Sequence, residues 1–117
     1  MYSEEEAAGR RLLVKWSNNS ALIRISLKYA HVRAARVIRA RIDGFSEGDR
    51  ELVLQAEEGD EIRLDLYEAR FDDVVTEEGL RACNLDPSKY PESLSLKSEL
   101  FQVDLFGGNT TQGASAA

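Results

Sequence analysis

The chain has 117 residues, of which 43% are hydrophobic and 31% are charged, and its formal net charge at pH 7 is −6. This size fits one domain with a single core, and the composition excludes an intrinsically disordered chain. The acidic balance repels nucleic acid and anionic membranes at long range, so binding either would require a local basic patch. No stretch approaches the roughly 20 apolar residues that a membrane helix needs, so we expect no membrane partner.

Positive charge is concentrated in the first part of the chain. Between Ala7 and Ile42 there are nine basic residues and no acid, whereas residues 43–117 hold 18 of the 21 acids. We call these nine residues the basic block: Arg10, Arg11, Lys15, Arg24, Lys28, Arg33, Arg36, Arg39 and Arg41. Two interpretations remain open. The block either pairs with acids of later strands inside the fold or presents a charged face to a partner.

The first predicted elements form a strand pair. Residues 1–9 are polar and predict a flexible N-terminal lead. In 11–17 the apolar residues alternate with period two, which predicts a first strand. The turn-forming pair Asn18-Asn19 follows, and a second alternating run covers 22–29. A tight turn between two alternating runs is typical of a β-hairpin.

Residues 35–42 are predicted to form a third strand. Arg36, Ile38, Ala40 and Ile42 lie on one face of this strand, and Val37, Arg39 and Arg41 lie on the other. A helix is the alternative, because Ala and Arg are good helix formers. The β-branched residues favour a strand, and Asp43-Gly44 would end it.

The second half of the chain adds a hairpin, a helix and a last strand. Strands are expected over 51–56 and 61–71, with a solvated acidic turn between them. Thr76 is a good helix N-cap and is followed by two acids, which predicts a short helix over 76–83. Residues 84–91 contain both prolines and are expected to be irregular, and a last strand is expected over about 98–106.

These elements predict a mainly β protein with one globular domain. We expect an antiparallel β-sandwich or a partly open β-barrel of about six strands, with one short helix before the last strand. The domain is expected to cover 10–106, after the N-terminal lead of 1–9 and before a disordered C-terminal tail of 107–117. The tail is small and polar, and it lacks apolar residues that could anchor it.

The sequence contains no recognisable catalytic or metal-binding set. His31 is the only histidine and lies in a predicted loop, where no serine or aspartate can be assigned to it. Cys83 is the only cysteine and is expected to pack in the core beside Leu80. The acidic clusters lack the calcium-loop pattern. We therefore expect no catalytic residue, no metal and no cofactor, and the single thiol favours a reducing, cytoplasmic location.

Function is expected to depend on binding. If the first three strands are neighbours, the outward-facing cations Arg24, Lys28, Arg39 and Arg41 form one surface, and we select them as candidate contact residues. The favoured interpretation is a module that binds an unidentified protein through this face or through a sheet edge. One alternative is an RNA- or single-strand-binding domain that uses the basic residues of 10–41. A second alternative is a small-ligand carrier or small enzyme, and the oligomeric state stays open.

Overall fold

The structure is a computed structural model that describes residues 2–107. Its elements are α1 (Glu4–Asn18), β1 (Ile23–Tyr29), β2 (Arg36–Ile42), β3 (Glu51–Ala56), β4 (Glu61–Asp65), β5 (Arg70–Val75), α2 (Glu77–Ala82), β6 (Glu92–Lys97) and β7 (Phe101–Gly107). The described strands form one antiparallel sheet in the order β4-β3-β2-β1-β7-β6-β5. The prediction of a mainly β, antiparallel fold is confirmed. The sheet has seven strands instead of about six, and it is a single sheet instead of a two-sheet sandwich.

The sheet is curled, because its two edge strands are consecutive in the chain. Only residues 66–69 connect β4 to β5. The five steps from Asp65 to Arg70 span at most about 18 Å. In a flat sheet, six strand spacings would separate these edges by about 29 Å. The sheet must therefore bend, although it does not close, since β4 and β5 are not hydrogen-bonded neighbours.

The inner face of the curled sheet holds the core. Alternate residues of most strands point inward and are buried, as Ile23, Ile25 and Leu27 of β1 show, whereas in the irregular strand β5 only Phe71 is buried. Helix α1 packs against this face and contributes Leu12 and Leu13 to the same hydrophobic cluster. Burial of each such side chain stabilises the fold by about 1.5–3 kcal/mol. The residues that alternate with them on the central strands point outward and are mostly exposed.

The strand predicted over 11–17 is wrong, because this segment belongs to α1. The helix begins at Glu4, within the predicted lead, and the Ser3 hydroxyl caps it by accepting a hydrogen bond from the Glu6 amide at 3.1 Å. Its buried face includes Gly9, Leu12, Leu13 and Trp16, at the i, i+3, i+4, i+7 spacing of an amphipathic helix. The alternation of Leu12, Val14 and Trp16 is thus a by-product of a broad apolar face.

A buried arginine joins α1 to the loop between β2 and β3. Arg10 is 4% exposed, and its guanidinium donates hydrogen bonds to the carbonyl oxygens of Glu47 and Asp49 at 2.9 and 2.6 Å. It also pairs with Glu6 at 3.0 Å and lies 4.2 Å from the centroid of the Tyr2 ring. This member of the basic block therefore has a structural role, because its charge is satisfied inside the fold.

The predictions for the middle of the chain have mixed outcomes. The strand over 35–42 is confirmed as β2, so the helix alternative is wrong. The prediction for 51–56 is confirmed as β3. The single strand predicted over 61–71 is two strands, since a turn at 66–69 separates β4 from β5.

The last third of the chain contains a strand that the sequence prediction missed. The helix over 76–83 is confirmed as α2, with the Thr76 hydroxyl accepting the Gly79 amide at 3.0 Å. Two strands follow it instead of one, because β6 precedes β7.

In the predicted tail of 107–117, Gly107 belongs to β7, and the rest lies outside the described residues. The proposed domain boundaries stay a prediction. Neither described helix is long and apolar enough to cross a membrane.

We predict that Gly107→Ala destabilises the protein. A Cβ atom at this position would lie 2.6 Å from Nε1 of Trp16 and 2.7 Å from a ring carbon, and the indole is buried. Such overpacking should lower the free energy of unfolding by about 1–3 kcal/mol. Urea unfolding followed by Trp16 fluorescence measures the change. In the control Gly48→Ala, where nothing lies within 4 Å of the new Cβ, stability should be unchanged or slightly higher. Equal midpoints for the two variants would contradict the packing of Trp16 on β7.

Candidate binding surface

The outer face of the three central strands is the candidate site. We define the outer basic face by the residues that β1, β2 and β7 direct away from the core. They are Arg24, Ser26, Lys28, Val37, Arg39, Arg41, Gln102, Asp104 and Phe106. All four predicted contact residues lie on this face and are exposed. The sheet order places β1 between β2 and β7, so the cations occupy the middle of the sheet.

Two of the cations face each other across neighbouring strands. Arg24 of β1 is the direct partner of Arg39 in β2. Side chains at directly opposite positions have Cβ atoms about 4.5–5.5 Å apart, and like charges there destabilise a sheet. Arg41 follows two residues later on the same face, and Lys28 lies opposite Gln102 of β7. Positive charge is therefore gathered here at some cost to folding.

These four cations are not neutralised by the acids of the later strands. Within residues 2–107, none of them forms an ion pair. The Arg41 Nε donates to the Ser20 carbonyl at 3.1 Å, and the Arg24 guanidinium carbon lies 5.7 Å from the centroid of the Phe106 ring. The acid nearest in register, Asp104, accepts a hydrogen bond from the Ser95 hydroxyl at 2.6 Å. Internal pairing therefore does not account for this part of the basic block.

Other members of the block do pair with acids. Lys15 belongs to α1 and not to a strand beside Arg24 and Lys28, so it lies apart from the outer basic face. Its ammonium group contacts Glu92 at 3.0 Å, and the Arg36 guanidinium contacts Asp60 at 3.2 Å. Arg11 and Arg33 are exposed outside the outer basic face and form no ion pair within residues 2–107. The block therefore contains paired cations, these two exposed cations and the four cations of the outer basic face.

An open cavity lies beside the opposed arginines. The paired segment of β2 and β3 runs only from Ala40 to Ile42 on the β2 side, and beyond Ala56 the chain enters the turn of 57–60. The cavity where the strands separate measures about 350 Å³. We call it the β2–β3 cavity, and it is lined by Arg24, Val37, Ile38, Arg39, Ala56, Glu57 and Glu58. It combines charged groups of both signs with apolar surface.

Sequence reasoning missed three exposed residues of this cavity, besides the buried Ile38 and Ala56. Val37 has the outward phase of Arg39 and Arg41 and is 61% exposed, so its phase was a usable signal. Glu57 and Glu58 were interpreted only as parts of a solvated turn. Their position beside Arg39 depends on how β3 pairs with β2, as the hydrogen bond from the Glu57 amide to the Arg39 carbonyl shows at 2.9 Å. No local sequence pattern specifies that pairing.

A second polar cluster joins α1 to α2 and β6. Glu92 is 7% exposed, and its carboxylate accepts hydrogen bonds from Lys15 Nζ at 3.0 and 3.1 Å and from the Glu77 amide at 3.1 Å. Burial on its own lowers the pKa of Lys15, but the hydrogen bond and the charge of Glu92 outweigh it and raise the pKa above 10.5. The carboxylate is buried and satisfied by its neighbours, which indicates a structural role.

We predict that Lys15→Met lowers the free energy of unfolding by about 1–3 kcal/mol, because it leaves the buried Glu92 carboxylate without its cation. Chemical denaturation at neutral pH measures this loss. The matched control is Arg63→Met, which removes a cation paired with exposed Glu51 and Glu61. Exposed pairs contribute about 0–1 kcal/mol, so this variant should unfold close to the unmodified protein. If Lys15→Met lowers the free energy of unfolding no more than Arg63→Met does, the structural role of the cluster is contradicted.

The stability difference between the unmodified protein and Lys15→Met should also depend on pH. A lysine whose pKa is raised by folding stabilises the native state below its unfolded pKa of about 10.5. This contribution is lost as the pH rises through the higher pKa of the folded state. We therefore expect a constant difference from pH 7 to about 10 and a smaller one above pH 10.5. If the stability difference between the two proteins instead increases above pH 10.5, the raised pKa of Lys15 is contradicted.

The remaining candidate residues do not form a site. His31 is exposed in the loop between β1 and β2, as predicted. Cys83 is exposed at the end of α2, so its predicted place in the core is wrong. In the part of the chain that the structure describes, no group of three or more His, Cys, Asp or Glu residues could hold a metal ion.

Comparison with known proteins adds no functional information, since no family model, curated protein or solved structure matches the chain. Function must therefore be argued from the outer basic face. Its guanidinium groups offer planar sets of N–H donors, which suit bidentate binding of carboxylates and phosphates. The exposed Val37 adds an apolar contact beside them.

Proposed function

We propose that this chain is a non-catalytic, cytoplasmic binding module whose outer basic face binds an acidic segment of another protein. The observation that carries the proposal is the set of four exposed cations, Arg24, Lys28, Arg39 and Arg41, which have no ion-pair partner within residues 2–107. A carboxylate-bearing partner would supply the missing counter-charges. Binding would also relieve the repulsion between the opposed arginines.

The composition of the face favours a protein over nucleic acid. Single-strand binding relies on aromatic side chains on which bases stack. Trp16 is buried at 2% exposure. Tyr29 is 46% exposed, but it has the phase of Ile23, Ile25 and Leu27 at the end of β1 and so does not belong to the outer basic face. On the outer basic face the aromatic residue is Phe106, which is half-buried and partly covered by Arg24. The net charge of −6 adds long-range repulsion of phosphates.

The face is also a better docking surface than the sheet edges. Edge strand β4 directs Glu61, Arg63 and Asp65 outward, and Arg63 pairs with Glu61 at 2.7 Å. Charged side chains of this kind protect an edge against strand addition. The other edge, β5, has a register shift between Asp72 and Val75, which disrupts a regular hydrogen-bonding template. We therefore place the partner on the outer face.

We predict that reversing the two opposed arginines abolishes most of the binding. The probe is a labelled peptide of about ten residues that alternates Glu and Val, long enough to span a strand. Arg24→Glu/Arg39→Glu should raise its dissociation constant by at least about tenfold, because attraction becomes repulsion. Fluorescence anisotropy at two salt concentrations measures the change, and circular dichroism checks that the sheet is intact.

The matched control is Arg11→Glu/Lys89→Glu, which makes the same change in net charge at exposed positions outside the face. It should bind the peptide nearly as well as the unmodified protein does. If both double variants lose binding equally, the effect is only net charge and the proposal is wrong. A dT oligonucleotide of similar charge is titrated in parallel. Tighter, steeply salt-dependent binding of the oligonucleotide would favour the nucleic-acid alternative instead.

A further inference from the structure

We propose that the β2–β3 cavity recognises a pair of opposite charges on the partner. In this proposal Arg24 and Arg39 bind an acidic side chain of the partner segment, and Glu57 and Glu58 bind a basic side chain of the same segment. The inference rests on the proposed function and specifies its partner chemistry. The expected segment is acidic overall, but it carries one lysine or arginine that faces the turn of 57–60.

The cationic wall of the cavity is built by the sheet. Arg24 and Arg39 are direct cross-strand partners, so their side chains leave the sheet side by side. Both line the cavity. The Arg24 guanidinium carbon lies 5.7 Å from the centroid of the Phe106 ring, a cation–π contact that restrains it on the side of β7. A carboxylate bound to the Arg39 guanidinium in the cavity would also be attracted by the positive charge of Arg24.

The anionic wall is held by the backbone of the turn. The hydrogen bond from the Glu57 amide to the Arg39 carbonyl, at 2.9 Å, fixes the start of the turn against β2. The ion pair of Arg36 with Asp60, at 3.2 Å, joins β2 to the other end of the turn. Glu57 and Glu58 are exposed and also line the cavity. The turn therefore presents two carboxylates at a position set by its contacts with β2.

Among the described residues, no ion pair crosses the cavity. Both arginines and both glutamates line the same open space, yet within the described residues none of the four side chains has an ion-pair partner. The nearby pair of Arg36 and Asp60 shows that charges on β2 and this turn do pair where they meet. The cavity keeps its own two sets apart, and a ligand with both signs of charge complements both walls.

The alternative is that Glu57 and Glu58 are only solvated turn residues. In that case they repel any acidic segment that approaches the arginines. Removing their charges would then strengthen the binding of every acidic peptide. The proposal predicts that removing these charges weakens binding of a peptide whose basic residue lies against the turn. Whether the affinity for such a peptide falls or rises therefore decides between the proposal and the alternative.

The experiment uses the alternating Glu/Val peptide together with a series in which one Glu at a time is replaced by Lys. We expect one or two positions at which lysine strengthens binding to the unmodified protein, although it reduces the attraction to the arginines. At these positions Glu57→Gln/Glu58→Gln should weaken binding by about threefold, as for loss of an exposed ion pair. The same variant should bind the all-Glu peptide more tightly. The control Glu68→Gln/Glu99→Gln makes the same change in net charge at exposed positions that do not line the cavity.

The outcomes separate this inference from the function on which it rests. If lysine weakens binding at every position, or if Glu57→Gln/Glu58→Gln strengthens all peptides alike, the inference is overturned while the acidic-segment function stands. If Arg24→Glu/Arg39→Glu leaves binding of the all-Glu peptide intact, or if no peptide binds the unmodified protein, the function itself is overturned and the inference falls with it. If Glu57→Gln/Glu58→Gln weakens binding only of peptides with lysine at the selected positions and strengthens binding of the all-Glu peptide, both the inference and the proposed function are supported.

Discussion

The short connection between β4 and β5 is the constraint on which the rest of the structure depends. Residues 66–69 must join the two edge strands of a seven-stranded sheet, and this is possible only if the sheet curls. Curling produces a concave face, whose apolar side chains must be covered by other elements, and a convex face that can stay exposed to solvent. Helix α1 contributes to that cover, so the apolar residues of the strands point inward. The convex face carries mostly polar side chains on the central strands.

Close packing of α1 follows from the same geometry. A Cβ atom at Gly9 would lie 2.6 Å from the Phe71 ring, so the middle of the helix approaches β5 at a distance that only glycine allows. Near the other end of the helix, Trp16 packs on the backbone of Gly107 in β7. The helix therefore contacts two strands from the second half of the chain, β5 and β7, which β6 separates in the sheet. This is why Gly9, at the end of the predicted lead, is buried although the lead is otherwise polar.

Sequence reasoning found the elements whose signals are local. The alternation in β1, β2 and β3 and the Thr76 cap each predict structure from a few neighbouring residues, and the outward phase of the four candidate cations followed from the same periodicity. It failed where an apolar pattern fits both a helix and a strand, and where tertiary contacts determine which structure forms. In 11–17 an apolar helix face mimics alternation, and β6 alternates Ser and Leu directly after a proline-containing segment. The β2–β3 cavity needs the strand order, which no single segment encodes.

The strand order also keeps the acids of edge strand β4 away from the cations of the outer face. Basic residues are concentrated on β1 and β2, in the interior of the sheet, whereas the outward acids Glu61 and Asp65 lie on edge strand β4. Three strand spacings, about 14 Å, separate β1 from β4. Exposed charges this far apart are screened at physiological ionic strength, where the Debye length is about 8 Å. The acids of β4 are therefore too distant to neutralise Arg24, although the two halves of the chain have opposite charge. In the proposed function, an acidic segment lying along β1 and β2 would meet the cations at contact distance. Direct binding, more than long-range attraction, would then select the partner.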